Sequence, residues 1–121
     1  MDGRKNLGNF GERLAVTALL RQGYKIRGRQ VRTPFGEIDI IAEAPDHLIF
    51  VEVKTRRTAE FGAPEEAITE KKREHLANAV ESYRLAEGLL DRPFRVDAIA
   101  IFLDEAKRKA TVRHIKNILE D

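Results

Sequence analysis

The sequence predicts an α/β sandwich in which a mixed central sheet of about five strands is flanked by helices. Three observations carry that expectation. Apolar residues recur at helical spacing in two stretches, one ending at Gly23 and the other at Gly88. Two runs rich in β-branched residues, Glu37–Ala42 and Leu48–Lys54, flank Ala44-Pro45-Asp46-His47, where proline and aspartate favour a turn. A third run, Phe94–Leu103, is strongly apolar and reads as a strand central in the sheet. The order is therefore helix, three strands, helix, two strands. At 121 residues, the expectation is one domain over residues 1–121 with a single core.

Taken in order, Asn6 or Asn9 can cap a first helix that runs to about Gln22, with Gly23 as its stop. Leu7, Phe10, Leu14 and Ala18 form its expected buried stripe. Glu12 lies off the centre of that stripe, toward Ala15 and Leu19, at the edge where helix meets sheet. Tyr24 to about Arg32 alternates apolar and basic residues as a first strand, and Thr33-Pro34-Phe35-Gly36 turns the chain. A loop through Phe61-Gly62-Ala63-Pro64 follows the hairpin. Thr69 caps a second helix, Glu70 to about Glu87, whose apolar stripe is Leu76, Ala79, Val80, Tyr83 and Ala86. Asp97 interrupts the apolar strand, and a structural role beside Arg95 or Arg92 is expected of it. Ala110–Ile115 is a last strand, and the tail to Asp121 is read as a short helix.

The hairpin carries the chemistry. A turn centred between Pro45 and Asp46 sets Asp39 opposite Glu52 and Glu37 opposite Lys54. Side chains alternate along a strand, so these four would share one face while Ile38, Ile40, Ala42, Ile49, Val51 and Val53 form the core face. A slip of one residue would separate Asp39 from Glu52. Acidic residues are poor strand formers, and two facing carboxylates repel unless a proton or a cation lies between them. A hard divalent ion is the natural occupant, because Mg²⁺ takes oxygen ligands from one or two carboxylates, water and phosphate. Lys54, two residues beyond Glu52, projects to the same side and can orient a water or stabilise charge building on a phosphate.

Asp39 followed by Glu52-Val53-Lys54 resembles the Asp…(Asp/Glu)-x-Lys signature of restriction-endonuclease-like nucleases. With GERLAVTALLRQGY, GEIDIIA and FVEVKTR, the chain from about Gly8 to His114 resembles the YraN-like family of small bacterial proteins, itself similar to archaeal Holliday junction resolvases. Ile38 stands where proline often precedes the aspartate. The resemblance implies a restriction-endonuclease-like fold and metal-dependent cleavage of DNA, branched or damaged DNA included. Asp39, Glu52 and the Val53 carbonyl would hold Mg²⁺ or Mn²⁺, and Lys54 would position the attacking water. Glu12 would join the site through water or on a second metal; apart from the resemblance, a salt-bridged or solvent-facing glutamate fits equally. Glu37 is an accessory carboxylate. The similar resolvases act as dimers, so a homodimer is implied.

Net charge is only +2, but its distribution is uneven. Residues 1–32 hold eight basic side chains against Asp2 and Glu12, and Lys107, Arg108, Lys109, Arg113 and Lys116 cluster near the end. Such a surface suits a phosphate backbone, or is simply solvated. Arg29 and Arg32 face solvent or line a nucleic-acid groove. Arg56 is a phosphate contact or an exposed strand end. Lys72, in a first helical turn unsuited to cations, meets an anionic partner or pairs with Glu65, Glu66 or Glu70.

Several classes are excluded. The chain has no cysteine, so thiolate chemistry and disulfides are out. Ser82 is the single serine and sits in no nucleophile elbow. His47, His75 and His114 share no zinc-ligand spacing. No phosphate-cradling glycine motif occurs. No apolar run reaches bilayer length and the start lacks a signal-like apolar stretch, so a membrane is not expected and a cytoplasmic location is.

Overall fold

A computed structural model describes residues 3–57 and 68–119, with side chains from Leu7 onward. The elements are α1 (Gly3–Arg21), β1 (Lys25–Thr33), β2 (Gly36–Glu43), β3 (Leu48–Arg57), α2 (Glu70–Ala86), β4 (Phe94–Asp104) and β5 (Lys109–Ile115). Their order is the expected one. The strands form one five-stranded sheet in the order β1-β2-β3-β4-β5. Neighbours are antiparallel except β3 and β4, which run parallel. A parallel pair needs a crossover, and α2 lies on that connection. This is the α/β arrangement of a restriction-endonuclease-like sandwich, a mixed sheet between two helices.

Both helices end as their glycines require. The Tyr24 N–H donates to the Leu19 carbonyl and the Gly23 N–H to that of Leu20, with Gly23 at φ 91°. At the end of α2 the N–H groups of Leu89 and Gly88 donate in the same way to Arg84 and Leu85, with Gly88 at φ 68°. Both satisfy carbonyls the helix leaves open, through a left-handed residue that glycine adopts without strain. Thr69 caps α2, its hydroxyl accepting from the Lys72 N–H at 3.2 Å. α1 starts at Gly3, earlier than the caps proposed at Asn6 or Asn9.

The sheet is covered on both faces, so there are two cores rather than one core face. α2 lays Leu76, Ala79 and Val80 on Ile38, Ile41, Leu48, Phe50, Val96 and Ala98. α1 lays Ala15 and Leu19 on Ile40, Ala42, Ile49, Val51, Ile99 and Ile101. Ile38 thus joins Ile41 rather than Ile40. The facing of side chains changes along β2 between Ile38 and Ile40, near Gln30 at φ 49°. The pairing with β1 keeps its register there and shifts between Ile26 and Gly28. The buried stripe of α1 is also displaced from Leu7, Phe10, Leu14 and Ala18. Gly11, Ala15 and Leu19 are buried, whereas Phe10 is exposed. Small residues let the helix approach: a Cβ on Gly11 would lie 1.9 Å from Thr55 Oγ1 and 3.0 Å from its Cβ. Close packing of backbone on strand outweighs the larger apolar side chains on the flank.

Asp97 is fully buried on β4. It accepts from Arg95 (Nε 2.8 Å), His114 (Nε2 2.7 Å) and the Asn117 N–H (3.1 Å), which tie β5 and the segment after it to β4. The expected Arg95 partner is present. Arg92 instead binds Glu43 and the Ala44 carbonyl. The described part of the tail forms a turn at Ile118–Leu119 rather than a helix, anchored by the Ile118 N–H on the Val96 carbonyl. Ala86, on the expected stripe of α2, is exposed. The loop expected through Phe61–Pro64 lies outside the described residues. No helix among the described residues is long and apolar enough to cross a membrane.

Candidate functional site

The β2–β3 hairpin has the register expected from its turn. Paired residues run from Glu43↔Leu48 to Ile40↔Val51, and the Ala44 N–H closes the turn on the His47 carbonyl at 2.8 Å. One pair further on, the backbone ladder ends at Asp39 and Glu52. There the Asp39 carboxylate takes over, its Oδ2 accepting from the Val53 N–H at 2.7 Å. β3 changes character at the same point: Leu48–Val51 are buried and Glu52–Arg56 are partly exposed. The charged residues thus stand where β3 passes from full burial into partial exposure.

Two clefts meet at this mouth. On the α1 side, Glu12, Gln30, Asp39, Val53, Lys54 and Arg56 line an open groove of about 520 Å³. On the α2 side, Glu37, Glu52, Lys72 and His75 line a smaller one of about 160 Å³. Lys54 and Glu52 join them, Nζ to Oε1 at 3.1 Å, with side chains only 14% and 20% exposed. The four charges expected on one face are therefore divided, Asp39 and Lys54 to one groove and Glu37 and Glu52 to the other.

The electrostatics single out Asp39. Burial, and then the nearby Glu52 carboxylate, push its pKa up to about 7, against the lowering bond from Val53. Glu12 adds to the rise and Lys54 opposes it. Burial acts to lower the Lys54 pKa, but Lys72 and the Glu52 carboxylate outweigh it and the net direction is up. Lys72 is held down, first by its hydrogen bond with Lys54, then by burial and the Lys54 charge. Lys54 therefore holds its proton more tightly than Lys72 does.

A stability consequence follows for Asp39. Its folded-state pKa lies above the ordinary 3.8, so the stability it contributes is complete below about pH 4 and lost as pH rises through about 7. Asp39→Asn keeps an acceptor for Val53 and removes the charge. At pH 8 and without divalent metal, the variant is expected to be more stable than the parent by about 2 kcal/mol, the shift discounted for partial exposure. At pH 4 the two should unfold together. Urea titrations followed by circular dichroism at both pH values check this; equal stabilities at pH 8 would contradict it.

The other expected residues are placed as follows. Glu12 is 5% exposed, and both its oxygens are engaged, by Arg29 Nε at 3.0 Å and Gln30 Nε2 at 3.2 Å. Arg29 is thus turned toward Glu12, its side chain 45% exposed. Arg32 is highly exposed and lies 3.7 Å from Glu37. Arg56 lines the larger groove and donates to the Thr55 carbonyl. Lys72 points at Lys54; Glu65 and Glu66 lie outside the described residues. Sequence reasoning missed Gln30, because nothing in a strand-like GRQVR run marks a left-handed residue. The Lys54–Lys72 contact was missed as well, since it joins a strand to a helix. Arg27 does not line this site: it donates to the Tyr83 hydroxyl at 2.9 Å.

Comparison with known proteins places the chain among relatives. The profile of the uncharacterised protein family UPF0102 matches residues 11–101. The chain belongs to this family. It is the YraN-like group that the hairpin and first helix resemble. A UPF0102 protein of Moorella thermoacetica is 39% identical over 113 residues, covering 93% of this chain and 94% of the relative. One of Clostridioides difficile is 41% identical over 113 residues, covering 93% and 96%. One of Syntrophotalea carbinolica is 48% identical over 99 residues, covering 81% and 80%. Among solved structures, Pyrococcus furiosus SfsA in complex with Ca²⁺ matches at 15% identity and a TM-score of 0.41. That match covers 93% of this chain and 63% of the other. The UPF0102 match spans Glu12, Asp39, Glu52, Lys54 and Lys72, the residues around the two clefts.

Among the described residues, no three His, Asp or Glu side chains converge closely enough to hold a metal among themselves. Asp39 and Glu52 are near enough for their charges to interact, but they line different grooves and Glu52 is paired with Lys54.

Proposed function

We propose that this chain is a divalent-metal-dependent nuclease that hydrolyses phosphodiesters in DNA, branched DNA included. The observation that carries the reading is the raised pKa of Asp39 beside Glu52 at the open end of the hairpin. A half-buried carboxylate pair of this kind is poorly satisfied alone and well satisfied by a hard cation. Asp39 and Glu52 would hold Mg²⁺ or Mn²⁺, with the Val53 carbonyl as a further oxygen donor. Bound there, the metal supplies positive charge to the phosphate oxygens and makes a water more acidic.

The chain's own groups do the rest. The Val53 N–H fixes Asp39 through Oδ2 at the wall of the groove. Lys54, kept protonated beside Glu52, orients the attacking water and stabilises charge gathering on the phosphate. Glu12, with both oxygens engaged, acts as a positioning residue that holds Arg29 and Gln30, the latter in the lining of the groove. Arg56 lies in the same groove, where a guanidinium suits phosphate oxygens. Arg32 and Lys72 add positive charge at its margins. Such contacts bind nucleic acid without reading sequence. Symmetric cutting of a four-way junction would require two copies of the chain.

One observation favours a second reading. The direct Lys54–Glu52 contact is the ion pair expected of a structural charge cluster without chemistry. That pair leaves Asp39 unneutralised, however, and the nuclease reading accounts for Asp39. A non-cleaving nucleic-acid binder on the same fold is the other alternative, and it would keep its affinity in EDTA.

The test is cleavage of labelled single-stranded, duplex, flap and four-way-junction DNA, and of RNA. Each is incubated with Mg²⁺, Mn²⁺ or EDTA, beside Asp39→Ala. Metal-dependent cutting that disappears in the variant is the expected result. Cutting that persists in Asp39→Ala would sink the assigned site, and binding without cutting would favour the binder.

A further inference from the structure

We propose that Phe10 and the β4–β5 hairpin form a stacking site for an unpaired base of the nucleic acid whose backbone lies in the Asp39 groove. The inference rests on the nuclease reading and adds the substrate class: a strand with single-stranded character beside the cut.

Phe10 is 38% exposed on α1, one residue before Gly11, where the helix touches β3. It contributes to the floor of an open pocket with Leu103 and Ala110, and Arg108 and Lys109 stand at its rim. Arg13 borders the ring, its guanidinium carbon 5.9 Å from the centroid. The acids at the pocket are already engaged: Asp104 accepts from the Lys107 N–H, and Glu105 pairs with Arg57. An apolar floor holding an exposed ring inside a basic rim fits a nucleobase with its phosphates outside. An apolar peptide would not need the rim, and a free phosphate would not need the ring.

Position links this pocket to the cutting site. Arg57 lines the Asp39 groove and pairs with Glu105 of the Phe10 pocket. Leu7, three residues before Phe10, lines the groove as well. A strand crossing from Asp39 past Arg57 therefore arrives at the Phe10 pocket. A blunt duplex keeps its bases stacked inside and offers none to the ring.

The test uses the absence of tryptophan from the chain. Phe10→Trp supplies the chain's single tryptophan at the pocket, and Phe10→Leu keeps apolar bulk without a ring. Labelled blunt duplex and the same duplex with a thymine arm are bound to parent, Phe10→Trp, Phe10→Leu and Phe10→Ala in EDTA. Phe10→Leu and Phe10→Ala should each lose roughly tenfold in affinity for the armed duplex and none for the blunt one. Phe10→Trp should retain affinity and be quenched by the armed duplex alone. Equal losses on both substrates, full retention in Phe10→Leu, or no quenching would overturn the stacking site while leaving the nuclease reading intact. If the parent neither binds nor cuts any nucleic acid, both fall together.

Discussion

Asp97→Ala is expected to lower the stability of the fold by about 3–5 kcal/mol, the cost of removing one partner from a buried charge cluster. Asp97 is fully buried, yet its pKa lies near 2. Burial alone would raise it; hydrogen bonds from His114, Arg95 and the Asn117 N–H reverse the sign. The variant leaves the Arg95 guanidinium and His114 Nε2 without their acceptor and unties the tail that follows β5. Asp97→Asn keeps the shape and should lose less. The linkage has a definite direction. A depressed carboxylate contributes stability that is present above its ordinary value near 3.8 and lost as pH falls through about 2. The parent should therefore weaken in acid below pH 4 more than Asp97→Asn does. Urea denaturation followed by circular dichroism at pH 7 and pH 2.5 reads both effects. A loss under 1 kcal/mol for Asp97→Ala would mean that the network is not what holds β5.

Lys54→Met is expected to lower cleavage at least about a hundredfold while leaving the fold in place. Removing one donor aimed at developing charge typically costs 10²–10³ in rate. Methionine keeps the length of the stem, and the lysine side chain is 14% exposed, so packing should survive. Its loss frees Glu52 and Lys72 from their shared partner. With Glu52 left unpaired in a mostly buried place beside Asp39, unfolding free energy should fall by up to about 3 kcal/mol at neutral pH. Single-turnover cleavage with protein in excess, beside a urea titration, separates the two quantities. Cutting at the parental rate would remove Lys54 from the chemistry. A parent that never cuts, together with a Lys54→Met variant destabilised by that amount or more, would support the structural ion-pair reading.

Much of the architecture was legible because it is local. Thr69 and Gly88 bracket α2 through hydrogen bonds formed within a few residues. Pro45 and Asp46 set the hairpin register, which holds from Glu43↔Leu48 to Ile40↔Val51. The two-sided core was harder to see. Ile41, Leu48 and Phe50 alternate with Ile40, Ile49 and Val51, so neither face of the hairpin is polar along its buried half. The buried face of α1 was misassigned because Leu7, Phe10, Leu14 and Ala18 compete with Gly11, Ala15 and Leu19. Only the facing strand decides between them, and Thr55 admits a glycine there.

The sequence by itself determined the element order and the hairpin register, because alternation and turn chemistry act over a few residues. Tertiary structure alone decided which groups satisfy the charged side chains. Glu12 receives Arg29 and Gln30 from β1, Lys54 meets Lys72 from α2, and Asp97 is held by His114 and Asn117, 17 and 20 residues away. Such partners are brought together by the packing of both helices on the sheet, and no local pattern in the chain records them.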